Sequence, residues 1–200
     1  MKHIVIKCEG IKKTYGSGDS AVLAIKKADF EIYSGETVAL LGPSGSGKTT
    51  LVQQLLAGVT GPVGGFYTRE IRSTGGVRQG FEIVTLTGER GILAHVDRVS
   101  RRRVGKYFVD IESLEQVGVA AIRRALQEKT AIVIDEIGPM ELLSAAFREV
   151  VLESIESPFP LLATVVWRST PFTDQLRRRP DVVVVELRTD NRAQMLSWIR

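Results

Sequence analysis

Cysteine is all but missing: Cys8 is the only one in 200 residues, so no disulfide forms within the chain, and strand packing is its expected role. A single thiol agrees with a reducing compartment. No apolar run approaches the ~20 residues that a membrane helix needs, and the first residues lack the basic-then-apolar layout of a secretion signal. The expectation is a soluble, cytoplasmic protein without a membrane segment. Internal repeats, low-complexity tracts and long linkers are also absent. Neither sign of charge dominates, with 27 basic against 23 acidic residues for a net +4. That excess does not indicate nucleic acid as a partner, because any protein that binds polyphosphates carries the same bias. What is abundant is apolar material, 44% of the chain, enough for one sizeable core or a main domain with a small appendage.

The stretch that organises the chain is Gly42-Pro43-Ser44-Gly45-Ser46-Gly47-Lys48-Thr49, a full match to the phosphate-binding pattern G-x-x-x-x-G-K-[ST], the Walker A loop. Thr37 to Leu41 in front is a short apolar run of buried-strand type, and Thr50 to Leu56 behind carries apolar residues at helical spacing. The loop therefore joins strand to helix, the context its chemistry requires. Its glycines let backbone N–H groups turn inward on a phosphate chain, and the helix adds the positive end of its dipole. Lys48 is then placed for the β- and γ-phosphates and Thr49 for a Mg2+ ion, with Thr50 closing the cradle.

Ala131-Ile132-Val133-Ile134-Asp135-Glu136 is a continuous apolar strand ending in two carboxylates. Alone, the pair also reads as an acidic helix cap. Beside a complete Walker A loop it reads as a Walker B motif, with Asp135 in the Mg2+ shell and Glu136 orienting the attacking water. Glu136 also points to the class of phosphate-loop proteins in which an extra strand separates the two Walker strands. Strands alternating with helices predict an α/β fold, a mostly parallel sheet with helices on both faces. Further helices are expected over Ile111 to Gln127, capped by Asp110, over Met140 to Ile155, over Pro171 to Arg179, and from a Thr189 cap through Ile199. Pro160 to Val166 and Val182 to Val185 read as buried strands. Gly65 to Ile71 and Gly80 to Leu86 read as a hairpin-like pair. Thr164 either faces the γ-phosphate or bonds its own backbone.

Residues 1–36 alternate apolar and polar side chains at His3 to Lys7 and Ile25 to Tyr33, around a turn-rich stretch from Thr14 to Ser20, which predicts an antiparallel β appendage. Gly10 to Gly16, Ala24 to Ile32 and Ser34 to Leu51 resemble the amino-terminal region of ABC-transporter ATPase domains. That resemblance implies that Tyr15 stacks on adenine; the plain alternative is a loop aromatic covering the strand edge. From about residue 38 onward the likeness is to another family, the small cancer-related nucleoside-triphosphatases, carried by Gly64 to Arg72, Arg78 to Leu86, Val104 to Tyr107, Ile134 to Leu142 and Asn191-Arg192. It implies broad base tolerance and slow turnover. Pro139 stands where that family carries a basic residue, so no role transfers there. The two likenesses overlap only at the Walker strand and loop, and the chain reads as a chimera, engineered or natural, of a 1–36 ABC-like segment and a 37–200 nucleoside-triphosphatase domain.

Two absences narrow the function. Ser113 to Gly118 lacks the Ser-Gly-Gly of an ABC signature, so a transporter-type sandwich dimer is not expected. No Asn-Lys-x-Asp guanine motif is present, which argues against a dedicated GTPase. The expectation is Mg2+-dependent hydrolysis of nucleoside triphosphates; a nucleoside or nucleotide kinase and a nucleotide-binding module with little catalysis are the alternatives. Arg69, Arg72, Arg102 and Arg103 are candidates for an arginine finger. The basic cluster Arg98, Arg101, Arg102, Arg103 and Lys106 is either a solvated face or a phosphate contact.

Overall fold

The computed structural model describes residues 4–8, 13–15, 22–25, 30–43, 46–57, 59 and 61–186. Nine strands form one sheet in the order β13 (Val182–Glu186), β5 (Thr37–Gly42), β12 (Leu161–Val166), β11 (Ala131–Ile137), β6 (Val63–Arg72), β7 (Arg78–Thr85), β8 (Arg90–His95), β10 (Tyr107–Val109) and β9 (Arg103–Val104). From β13 to β6 every pairing is parallel, and from β6 to β9 every pairing is antiparallel. The inner strands of the parallel half, β5, β12 and β11, are buried on both faces. Along β5, Val38 and Leu40 enter one core with Leu51, Val52 and Leu55 of helix α1 (Lys48–Ala57), while Ala39 and Leu41 enter the other. That second core takes Ile122 and Ala125 of α3 (Ala120–Glu128) and Phe147, Val150 and Val151 of α4 (Ala145–Glu156). Period-two alternation with apolar residues at both phases gives this double burial. Gly65 sits at φ +103°, where an added Cβ would stand 2.0 Å from the Val133 carbonyl oxygen, so β6 reaches β11 only because no side chain intervenes.

The expected β12 between the two Walker strands is present, with β5 on one side and β11 on the other. The hairpin reading of β6 and β7 also holds, with Phe66 opposite Thr85 and Ile71 opposite Gly80. Asp110 caps α2 (Ile111–Ser113) by accepting the Ser113 N–H at 2.9 Å, and a π-helical stretch (Leu114–Val119) then leads into α3. Where one helix is expected from Met140, a 3-10 turn (Glu141–Leu143) comes first. Ser144 leaves helical geometry and its hydroxyl accepts the Phe147 N–H at 3.0 Å, so the helix proper begins after it. Thr170 and Thr173 form a capping box at the start of α5 (Pro171–Arg178), with Pro171 at its first position. Thr189 lies outside the described residues.

The amino-terminal strands are antiparallel, as expected: β1 (Ile4–Cys8) pairs with β4 (Phe30–Tyr33), and β2 (Lys13–Tyr15) with β3 (Val22–Ile25). Two expectations are corrected. Thr14 and Tyr15 belong to β2, opposite Leu23 and Val22, and not to a loop. The resemblance to ABC ATPases further implies that these strands pair against the edge of the Walker strand; they do not, because β12 and β13 occupy both sides of β5. It is instead tied in by packing, through Ile32 of β4 in the core that holds α1. Among the described residues no helix is long and apolar enough to cross a membrane.

Candidate active site

β5 ends at Gly42 and α1 starts at Lys48, so the Walker loop bridges a buried strand and a helix N-terminus. Gly47 takes φ +91°, and the Ser46 N–H closes the loop on the Pro43 carbonyl at 3.0 Å. Ser44 and Gly45 lie outside the described residues. Lys48 is 7% exposed. Its ammonium donates to the Gly42 carbonyl at 2.8 Å and the Pro43 carbonyl at 3.4 Å, and meets Glu136 Oε1 at 3.1 Å. The two groups assigned to phosphate charge and to water thus converge on one point from the start of α1 and from β11.

Asp135 is fully buried. The Thr164 hydroxyl donates to its Oδ1 at 2.6 Å, while Oδ2 has no hydrogen-bond partner among the described residues. Thr164 therefore does not turn to its own backbone: it reaches sideways from β12 and orients the neighbouring strand's carboxylate. Burial pushes the Asp135 carboxyl up to about 6, with the Glu136 charge adding to the rise and Thr164, Thr49 and Lys48 opposing it. A buried, half-satisfied carboxylate beside Thr49 is short of positive charge. Among the described residues no group of three or more His, Cys, Asp or Glu side chains forms a metal cage. Mg2+ needs none, since it keeps waters and binds through one or two protein oxygens plus phosphates. The Ser46 hydroxyl in the loop is also buried without a hydrogen-bond partner among the described residues.

Lys48, Thr49, Thr50 and Glu136 face a cleft of about 910 Å³ together with Gly42, Pro43, Ser46 and Gly47. Arg69 reaches the cleft but is gripped by Glu82, at 2.7 Å from Nε and 2.6 Å from a terminal nitrogen. Arg72 pairs with Glu70 and donates to the Gly76 carbonyl, away from the cleft. Arg102 and Arg103 are exposed and do not line it. The basic cluster is a solvated face: Arg98 pairs with Asp110, Arg103 lies 5.4 Å above the Phe108 ring and Lys106 5.4 Å above that of Tyr107.

The family described as NTPase matches residues 37–200. The chain belongs to this NTPase family. Its sequence is 48% identical over 162 residues to a nucleoside-triphosphatase THEP1 of a Thermotoga species (strain RQ2), spanning 81% of this chain and 92% of the relative. Over 132 residues it is 50% identical to the THEP1 nucleoside-triphosphatase of Methanocaldococcus jannaschii, 64% of this chain and 76% of that one. The fold matches the crystal structure of THEP1 from Aquifex aeolicus with a TM-score of 0.73 at 33% identity, covering 82% and 96% of the two chains. It matches the solution structure of a human cancer-related nucleoside triphosphatase with 0.67 at 38%, covering 81% and 94%.

This NTPase carries cleft residues that the sequence reading passed over. Arg78, Phe81 and Leu93 come from β7 and β8, Trp167 and Arg168 follow β12, and Met140 and Glu141 follow β11. Glu141 is only 4% exposed. Its Oε2 lies 2.9 Å, and Glu136 Oε2 3.2 Å, from the point where a Cβ on Gly138 would stand. Two carboxyls thus face one another across Gly138. The signal for Glu141 is an acid inside the apolar run Met140-Glu141-Leu142-Leu143; that for Arg168 is its place at the carboxyl end of a parallel strand, where ligands collect. Burial, with the charges of Glu136 and Asp135, pushes the Glu141 carboxyl up to about 8 against hydrogen bonds from backbone groups. The folded protein therefore keeps that proton between about pH 4.5 and 8 while the unfolded chain releases it, and stability falls as pH rises through this window, by at most about 1.4 kcal/mol per unit. In urea denaturation without metal, Glu141→Gln is expected to match the parent near pH 5 and to exceed it increasingly towards pH 9. Parallel stability curves would contradict a buried neutral Glu141.

Proposed function

We propose that this NTPase hydrolyses the β–γ bond of nucleoside triphosphates, ATP among several bases, by in-line attack of water in the presence of Mg2+. The observation that carries this is the 3.1 Å approach of the Lys48 ammonium to Glu136. Lys48 and the loop N–H groups take the charge that builds on the transferring phosphoryl oxygens. Glu136, whose side chain is 31% exposed towards the cleft, accepts a hydrogen bond from the attacking water and takes its proton. Phosphate entry exchanges the Lys48–Glu136 pair for a Lys48–phosphate contact, which frees Glu136 for that water. Thr49 and the orphaned Oδ2 of Asp135 are the groups that fit Mg2+, with Thr164 fixing the other carboxylate oxygen. The ion, when bound, draws charge from the β- and γ-phosphates. Phosphate release from ATP, GTP, CTP and UTP is expected to require added Mg2+ and to cease with a chelator; release that persists without divalent ions would remove Asp135 and Thr49 from this role.

Residues 1–36 precede the matched span, and we read them as an ABC-type graft joined at the Walker strand, naturally or by engineering. Without an ABC signature sequence, no sandwich dimer is expected. Under this reading Tyr15 stacks on the base; its side chain lies outside the described residues, as do Asn191 and Arg192, which offer the competing base site. Base stacking is worth roughly 1–3 kcal/mol, so Tyr15→Ala is expected to weaken ATP binding about five- to a hundredfold and leave inorganic triphosphate binding unchanged. Titration of both ligands alongside the melting temperature checks this, and an undiminished ATP affinity would rule out the stack.

A further inference from the structure

The cleft is larger than hydrolysis needs. Lys48 meets Glu136, so the reacting phosphorus is bounded there, and what lies past Glu136 faces the attacking group. The cleft, of about 910 Å³, runs from the Walker loop, where the triphosphate is held, past Glu136 onto the antiparallel wall of β7 and β8. Phe81 and Leu93 stand there beside the charged Arg69, Glu70 and Arg78, with Met140 from β11's exit and Trp167, 41% exposed, at the rim. Phe81 is held in place by Tyr107 edge-on at 5.2 Å and by the Arg78 guanidinium 5.3 Å from its ring centre. A fixed aromatic surface of this kind takes a planar ligand at little cost in side-chain entropy.

The charged side chains lining the cleft are unequal. Arg69 is occupied by Glu82, and Arg78 by Glu70 and the Tyr107 hydroxyl. Arg168 has no carboxylate partner among the described residues. The backbone beside it is fixed, because Arg177 donates to the Val166 carbonyl at 3.0 Å and the Trp167 carbonyl at 2.8 Å. An unneutralised guanidinium in the same cleft as a fixed aromatic surface suits a planar ligand that carries a phosphate.

We propose that the cleft holds an acceptor subsite for a nucleoside monophosphate, its phosphate at Arg168 beside the Walker centre and its base past Glu136 against Phe81 and Met140, which makes this NTPase a phosphotransferase as well. The inference rests on the hydrolytic reading of the Walker centre. An oxygen of the monophosphate dianion attacks the γ-phosphorus, and the bond from that phosphorus to the β-phosphate oxygen breaks, its electron pair staying on the leaving diphosphate. Two nucleoside diphosphates form, no water is consumed and no proton moves. With γ-labelled ATP, Mg2+ and AMP, GMP, CMP or UMP, the protein is expected to yield labelled nucleoside diphosphate beside labelled phosphate. Arg168→Ala and Phe81→Leu are expected to lose the labelled diphosphate by about tenfold or more, while phosphate release from ATP alone stays close to the parent's. Labelled phosphate as the sole product, from protein that hydrolyses ATP, would overturn the subsite. So would a raised KM for ATP in both variants, since the wall would then hold the base of ATP itself. Calorimetric titration of the four monophosphates into protein loaded with a non-hydrolysable ATP analogue separates this from failure of the hydrolytic reading. One equivalent of a monophosphate bound, and lost in Arg168→Ala, supports the subsite whatever the turnover; no binding of any of the four overturns it.

Discussion

Lys48→Ala is expected to remove triphosphate turnover almost entirely, by about 10²–10³-fold or more, the scale of losing one preorganised charge from a phosphoryl-transfer site. Lys48 is the point where the loop, the helix and the second Walker strand meet: its ammonium contacts Gly42, Pro43 and Glu136 and is almost wholly screened from solvent. Alanine keeps the helix start and removes the ammonium, its stem and its hydrogen bonds to the Gly42 and Pro43 carbonyls. The partner left behind, Glu136, is partly solvated, so it does not become an uncompensated buried ion, and the melting temperature is expected to change little. Phosphate release, nucleotide titration and thermal unfolding of the same preparation check this. Unchanged hydrolysis in a folded variant would remove the loop from the chemistry.

Glu136→Gln separates binding from rate. The amide keeps the shape of the side chain but cannot take a proton from water, so turnover is expected to fall on the order of a hundredfold or more. Triphosphate and Mg2+ are expected to stay bound. Affinity is expected to equal or exceed the parent's, because Lys48 no longer has to leave an ion pair at 3.1 Å before it meets phosphate. Steady-state kinetics together with equilibrium titration decide the matter; equal losses in binding and rate would make Glu136 a structural or metal-binding group.

The centre was legible in the sequence because its chemistry depends on local spacing. Gly42 to Thr49 must turn backbone donors inward, and Asp135-Glu136 must end a buried strand, so both are written in consecutive residues. The double burial of the parallel strands was legible for the same reason, from Val38 to Leu41 and from Ile132 to Ile134. The cleft walls were not. Phe81 and Leu93 reach the site through an antiparallel extension in which Phe81 pairs with Ala94, a register set by distant residues. Thr164 takes its partner from the next strand, Asp135, where local reading offered only its own backbone or phosphate. Glu141 sits where a helix was expected, and there an acid reads as ordinary first-turn chemistry. Its isolation from solvent arises from packing of the 3-10 turn and Ser144 cap, which no single window contains.

Hydrolysis in ¹⁸O-labelled water tests the central claim most directly. With ATP and Mg2+, attack of water on the γ-phosphorus places one ¹⁸O in the released inorganic phosphate and none in ADP at a single turnover. Label in ADP, or pyrophosphate as a product, would contradict the geometry in which Lys48 and Glu136 converge on the terminal phosphate.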